Sequence, residues 1–182
     1  MCRLCQINPV YEFTNKRKLC GRCFIHYFEK KVLYTLRKFS LIKRDDIVGY
    51  KKENNFKSAV LEEILRFISE KSGINIVRLP NKQANKIAVD SSIDPEAEKV
   101  IKELIRGNAV NLKKNLPVEG KIIKPLYLFL DEEILLYAKL KKLKFSIEKE
   151  TKDKIGRFIG ESEKNHPEIK RAIVNSLLEL YL

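Results

Sequence analysis

The sequence predicts an α/β domain built on a parallel sheet, with a small four-cysteine metal ribbon ahead of it. Three observations predict this class. Short apolar, strand-like runs alternate with helical stripes along most of the chain. All four cysteines, Cys2, Cys5, Cys20 and Cys23, fall in the first 23 residues. A chain of 182 residues that is 44% hydrophobic can also bury a core of its own. The expected organisation is a zinc ribbon over 1–28, a basic joining helix over 29–44 and an α/β body over 45–182.

The ribbon follows from the cysteine spacing. Two C-x2-C pairs flank a fourteen-residue loop, slightly shorter than is usual for such ribbons. Two residues between thiolates let both sulfurs of a knuckle turn toward one ion, and Gly21 inside the second pair suits a tight backbone. Four soft ligands in a tetrahedron are the closed arrangement of structural zinc. An iron–sulfur cluster uses the same four ligands, so the spacing leaves both metals open. A disulfide pairing is disfavoured because the opening MCRLCQINPV lacks the apolar stretch of an export signal. No apolar run approaches the roughly 18 residues of a membrane span, so a cytoplasmic protein is expected.

Between the knuckles, Pro9, Asn15 and Lys16-Arg17-Lys18 read as the tip of the ribbon. Phe24, Tyr27 and Phe28 follow at helical spacing and are expected to form a packing seam rather than a base-stacking platform; His26 reads as an ordinary helix residue. A helix over Phe24–Phe39 would carry Lys30, Lys31, Arg37 and Lys38. The chain carries a formal charge of +13, from 37 Lys and Arg against 24 acids. Residues 1–44 hold eleven of the basic residues and two acids, so this quarter alone carries +9. A polyanion is therefore the expected partner, and the candidate phosphate contacts are Lys16, Arg17, Lys18, Arg22, Lys30, Lys31, Arg37 and Lys38.

The body reads as follows. Ile47–Tyr50 is a strand, and Lys51–Asn55 a loop. Val60, Leu61, Ile64, Leu65 and Ile68 stripe a helix over Lys57–Glu70 that Gly73 stops. Ile74–Val77 and Lys86–Val89 are strands. Asp94 caps a helix with Pro95 at its first position, and Gly107 ends it. Pro125 makes the segment around Ile122, Ile123, Leu126 and Tyr127 an edge strand or an extended segment. Ile134, Leu135, Ala138 and Leu140 mark another helix, and His166-Pro167 opens the last one.

The order of these features resembles the cytosolic tRNA 2-thiolation family, the ATP-pyrophosphatase (PP-loop) proteins that place sulfur on uridine 34. The pieces are the ribbon ending Cys20-Gly21-Arg22-Cys23-Phe24, the helix Glu29-Lys30-Lys31-Val32, and the strand–loop–helix from Ile47 to Leu61. Ala84-Asn85-Lys86-Ile87-Ala88 up to Asp94-Pro95-Glu96-Ala97 is similar to the family's A-x-K-I-A-x-G-H-N-x-D-D-E-A, with Leu104-Ile105-Arg106-Gly107 after it. Ile123-Lys124-Pro125-Leu126, with Glu133 to Tyr137 after it, and Glu163 to Lys170 complete the order. The resemblance implies a PP-loop (adenine nucleotide α-hydrolase-like) fold.

The departures shape the functional expectation. Where the family has S-G-G-x-D-S, this chain has Asn54-Asn55-Phe56-Lys57-Ser58, without glycines and with lysine in place of aspartate. Phe56 would intrude on the nucleotide space. No cysteine follows Cys23, and the stretch between the two degenerate motifs reads as too short for the full nucleotide domain. The expectation is a reduced, non-catalytic second subunit, a pseudoenzyme with no catalytic residue. It would hold structural zinc, bind tRNA through the ribbon and helix, and dock on an active PP-loop thiolation subunit in a heterodimer. The alternatives are a stand-alone zinc-ribbon nucleic-acid-binding protein, or an ATP-dependent tRNA-modifying enzyme using Lys57, Ser58 and Asp94. Lys57 and Ser58 otherwise open a helix, and Asp94 caps one.

Overall fold

In the computed structural model, residues 1–146 and 153–181 are described. The ribbon is a short antiparallel hairpin, β1 (Tyr11–Glu12) against β2 (Lys18–Leu19). Lys16, at φ 63°, turns its tip. Helix α1 (Gly21–Lys38) follows directly, three residues earlier than periodicity suggested. It starts inside the second cysteine pair, so Cys20 is its N-cap residue and Cys23 lies in its first turn. Gly21 is therefore helical. What limits its size is Leu140, whose Cδ2 would lie 3.1 Å from an added Cβ.

The body contains β3 (Ile47–Tyr50), α2 (Phe56–Ser72), β4 (Asn75–Arg78), β5 (Lys86–Ala88), α3 (Ile93–Ile105), a 3-10 turn at Ala109–Asn115, β6 (Val118–Glu119), β7 (Ile122–Ile123), α4 (Asp131–Leu140), α5 (Lys154–Asn165) and α6 (Ile169–Tyr181). The sheet order is β4-β3-β5-β7-β6. Pairs β3/β4, β3/β5 and β5/β7 are parallel, and β6/β7 is antiparallel. The α/β class with a mostly parallel sheet thus holds. Of the two readings of the segment around Pro125, the edge strand does not hold: Ile122–Ile123 is β7, inside the sheet, and β6 forms the edge. Pro125 comes after the last β7 residue, so it removes no ladder hydrogen bond.

Local chemistry explains most helix ends. The Asn55 side chain accepts from the Ser58 backbone N–H, an N-cap for α2, and Gly73 closes it at φ 70°. Helix α3 begins at Ile93 after Ser92, so Asp94 sits inside its first turn rather than at the cap. Pro95 is tolerated there because first-turn N–H groups have no intrahelical acceptor. Helix α5 was not expected; Asp153 caps it by accepting from Gly156 N–H. His166 ends α5 instead of opening the last helix, which starts at Ile169.

One core runs through ribbon, α1 and body. Cys2, Leu19, Cys20, Phe24 and Phe28 belong to the same buried cluster as Val48, Leu61, Ile64, Phe129 and Tyr137. Phe28 stacks on Tyr137 with centroids 4.2 Å apart and lies 4.1 Å from Phe129. A smaller core of Ile93, Ala97, Tyr127, Leu130, Val174 and Leu178 joins α3 to α6.

Candidate metal centre and basic face

Two local structures bring the four thiols together. At the first knuckle, Cys2 N–H donates to Ile7 O at 2.8 Å and Gln6 N–H donates to Cys2 O at 3.0 Å, with Gln6 at φ 60°. At the second, the start of α1 holds Cys20 and Cys23 one turn apart. The four sulfurs all lie within 4.8 Å of one another; Cys5 is 3.4 Å from Cys20 and 3.6 Å from Cys23. These separations exceed the ~2.05 Å of a disulfide and approach the ~3.8 Å edge of a tetrahedron with metal–sulfur bonds of ~2.3 Å.

The electrostatics fit a cation. Burial pushes the Cys2 thiol up, but backbone N–H donors of Cys20, Leu4 and Cys5 outweigh it and bring it down to about 6. Cys23 is pushed up to about 12, chiefly by Cys5 and then by burial. Four thiolates at contact distance repel one another unless a positive ion sits among them. The donor set and its geometry therefore suit a metal ion, and the four cysteines would hold it.

The cations predicted to meet phosphate divide into two groups. Lys16, Arg22, Lys30, Arg37 and Lys38 are exposed. Lys18 pairs with Glu12 at 3.0 Å. Arg17 lies over the rings of Phe13 and Tyr27, at 4.2 and 4.9 Å from their centroids. Lys31 turns inward: its Nζ is 3.4 Å from Glu133 Oε2 and 4.5 Å from the Phe129 ring centroid. Burial brings its pKa down to about 8, an effect the neighbouring Glu133 charge opposes. Glu133 is fully buried and also accepts from Leu130 N–H at 2.9 Å and from Arg171 at 3.0 Å. Lys31 is thus one arm of a buried node tying α1 to α4 and α6. The helical face of this region splits likewise: Phe24 and Phe28 are buried seam residues, while Tyr27 is half-buried and Tyr34 is exposed.

A second feature lies at the carboxyl ends of β3 and β5. The chain leaves β3 for β4 on one side and returns to β5 on the other, so a crevice opens between them. Its volume is about 520 Å3, and Asn55, Lys57, Asp90, Ser91, Lys99 and Lys124 are among its lining. Phe56 lines it too, in edge contact with Phe145. Sequence reasoning missed its best-organised group. Glu96, fully buried, takes hydrogen bonds from Lys124 at 2.8 Å, Lys99 at 2.9 Å and the Ser91 hydroxyl. Only the strand register brings Lys124, after β7, to a first-turn residue of α3, so spacing along the chain carries no signal for it.

The three residues of the remodelled-site reading have structural partners. Lys57 pairs with Asp131 at 2.7 Å. The Ser58 hydroxyl accepts from Glu53 N–H at 2.8 Å. Asp94 accepts from Asp131 N–H at 2.8 Å and from Lys170 at 2.7 Å. Burial pushes Asp131 up, and the neighbouring Asp94 charge adds to this.

No family model matches the chain, and no curated protein matches it. Among solved structures it is similar to the U34-tRNA thiolase NcsA from Methanococcus maripaludis, described with its 4Fe–4S cluster. The identity is 20% and the TM-score 0.76, over 98% of this chain and 86% of that one. At this identity the likeness is one of fold alone: the chain has an α/β framework similar to that of the thiolase. It overturns the expectation of a pseudoenzyme cut down too far to hold a full nucleotide domain. Losing glycines from a phosphate loop changes what the loop can hold, but it leaves the strands, helices and crevice of the framework in place.

Proposed function

We propose that this chain binds tRNA within a wobble-uridine 34 2-thiolation system, in the cytoplasm, with zinc in its four-cysteine site and a second PP-loop chain as its protein partner. The observation that carries this reading is the exposed row Arg22, Lys30, Arg37 and Lys38 along a helix that starts at the thiol cluster, on a thiolase-like fold. Lys16 adds a fifth exposed cation at the hairpin tip. A helix rigidified at one end by a metal presents its cations to phosphates with little entropy loss.

Zinc is supported by the compactness of the sulfur set. Four sulfurs within 4.8 Å of one another surround a single ion. In a four-iron cube each cysteine binds a different corner, which spreads the sulfurs further apart. Zinc here would supply folding free energy of about 10 kcal/mol or more. The partner is supported by the chain's thiol inventory. No cysteine follows Cys23, so the α/β body supplies no thiolate of its own to the crevice.

The test is tRNA binding by the full chain as a function of salt. Five exposed cations, Lys16, Arg22, Lys30, Arg37 and Lys38, imply a slope of log K against log salt of about −3.5 to −4.5. Charge reversal at Arg22 and Lys30 should lower affinity and flatten the slope. Binding that is undetectable at low salt, or indifferent to those reversals, would overturn the reading. Equal affinity for tRNA and random duplex DNA would favour a stand-alone zinc-ribbon nucleic-acid binder.

An ATP-dependent tRNA-modifying enzyme with a remodelled site is the second reading. It is favoured by the crevice at the switch point and by the lysines that Glu96 holds there. Saturable ATP binding weakened by Lys99→Met supports it; no binding at millimolar ATP removes it.

A further inference from the structure

Beside the metal centre a groove of about 660 Å3 runs between the ribbon and α1. Its lining includes Arg3, Arg17, His26, Tyr27, Lys30 and Tyr34, and none of its ten lining residues is acidic. Such a surface selects an anion. It also has an aromatic component that a purely electrostatic site does not need. Tyr34 is 50% exposed, on the side of α1 where His26, Lys30 and Lys38 are exposed as well. Tyr27 forms part of the lining, under the Arg17 guanidinium.

Arg17 strengthens the case. Its side chain is held between Phe13 and Tyr27, so it is already ordered. Its Nε is buried and has no hydrogen-bond partner among the described residues. A pre-ordered guanidinium in the lining suits a phosphate or a base edge. Lys38 Nζ, 5.9 Å from the Tyr34 ring centroid, puts a further positive charge beside that ring.

We propose that this groove takes an unpaired nucleotide of RNA. The base stacks on Tyr34, and Arg3, Arg17 and Lys30 neutralise the flanking phosphates. A duplex hides its base faces, so an exposed tyrosine in an acid-free groove offers it nothing beyond charge. A splayed single-stranded base gains both stacking and charge. This deepens the tRNA reading and rests on it, by assigning the contact to a loop or an unpaired end rather than to a stem.

The experiment titrates the full, metal-loaded chain with three probes: tRNA, a blunt RNA duplex, and an unstructured RNA octamer carrying one 2-aminopurine. Tyr34→Ala should weaken the octamer about tenfold or more, abolish 2-aminopurine quenching and leave duplex affinity unchanged. Tyr34→Phe should restore both octamer affinity and quenching. Equal loss on octamer and duplex, or no loss on the octamer, overturns the stacking subsite. Wild-type octamer binding with Tyr34-dependent quenching, but without tRNA binding, keeps the subsite and overturns only the tRNA reading.

Discussion

Phe28→Ala should loosen the metal ribbon and the body together. Phe28 is fully buried, and it sits on the helix whose first turn carries Cys23. Its ring lies between Phe129 at 4.1 Å and Tyr137 at 4.2 Å. Truncating such a ring costs about 3–5 kcal/mol through lost transfer energy and the cavity left behind. Two aromatic neighbours, one stacked and one tilted, push the value toward the upper end. For a chain of 182 residues the unfolding entropy is about 0.4 kcal/mol per degree, so a loss of about 4 kcal/mol lowers Tm by about 10 °C. The chain has no Trp and seven Tyr, so unfolding is read by far-UV circular dichroism. Metal release is followed on the same samples with a chromophoric chelator. Because Cys2, Cys20 and Phe28 share one core, both transitions should move down together. If the dichroism midpoint falls while metal release stays put, ribbon and body are energetically separate and the shared-core argument is wrong.

Three further outcomes are expected. The Lys31 pKa falls from an ordinary 10.5 to about 8 in the folded chain, so the unfolded state binds more protons between those values. Stability from this group therefore rises as pH goes from about 8 to about 10.5, by roughly 3 kcal/mol; Lys31→Met should abolish that rise in urea titrations, and an unchanged slope would refute it. Glu62 is subject to desolvation that raises its pKa, but hydrogen bonds from Lys52, Arg78 and Tyr50 prevail and hold it down to about 2. Its contribution is complete above the ordinary value near 4.5 and is lost as pH falls toward 2, so Glu62→Gln should leave a shallower acid-unfolding curve. Glu96→Gln strips the charge partner from buried Lys124 and from Lys99, and should cost about 3–5 kcal/mol in chemical denaturation; a cost below 1 kcal/mol would mean that the three groups do not act as a unit.

Several elements could be read along the chain because their causes are local. Strand Ile47–Tyr50 is observed at its expected limits, since four apolar or small residues between polar loops have few alternatives. Asn55 and Gly73 bound α2 through a side-chain acceptor and a left-handed turn, both of which act within three or four residues. The cysteine spacing, too, anticipated the cluster that the knuckle backbone assembles. Other elements depended on distant partners. Helix α5 was missed because it is short of apolar residues and carries Gly156 and Gly160; Gly156 and Ile159 are its buried residues. Its position is tied instead to Glu98 and Lys102 of α3, through Gly156 and Asp153.

Charge shows the division best. Counting basic residues located the most positively charged quarter of the chain, because net charge is a property of composition. Whether each cation faces water was settled by packing: Lys30 and Lys31 are neighbours in the chain, yet one is exposed and the other reaches Glu133 in the core. A helix turns by about 100° per residue, so adjacent side chains meet different surroundings. What those surroundings are depends on α4 and α6, which begin at Asp131 and Ile169, far along the sequence from Lys31.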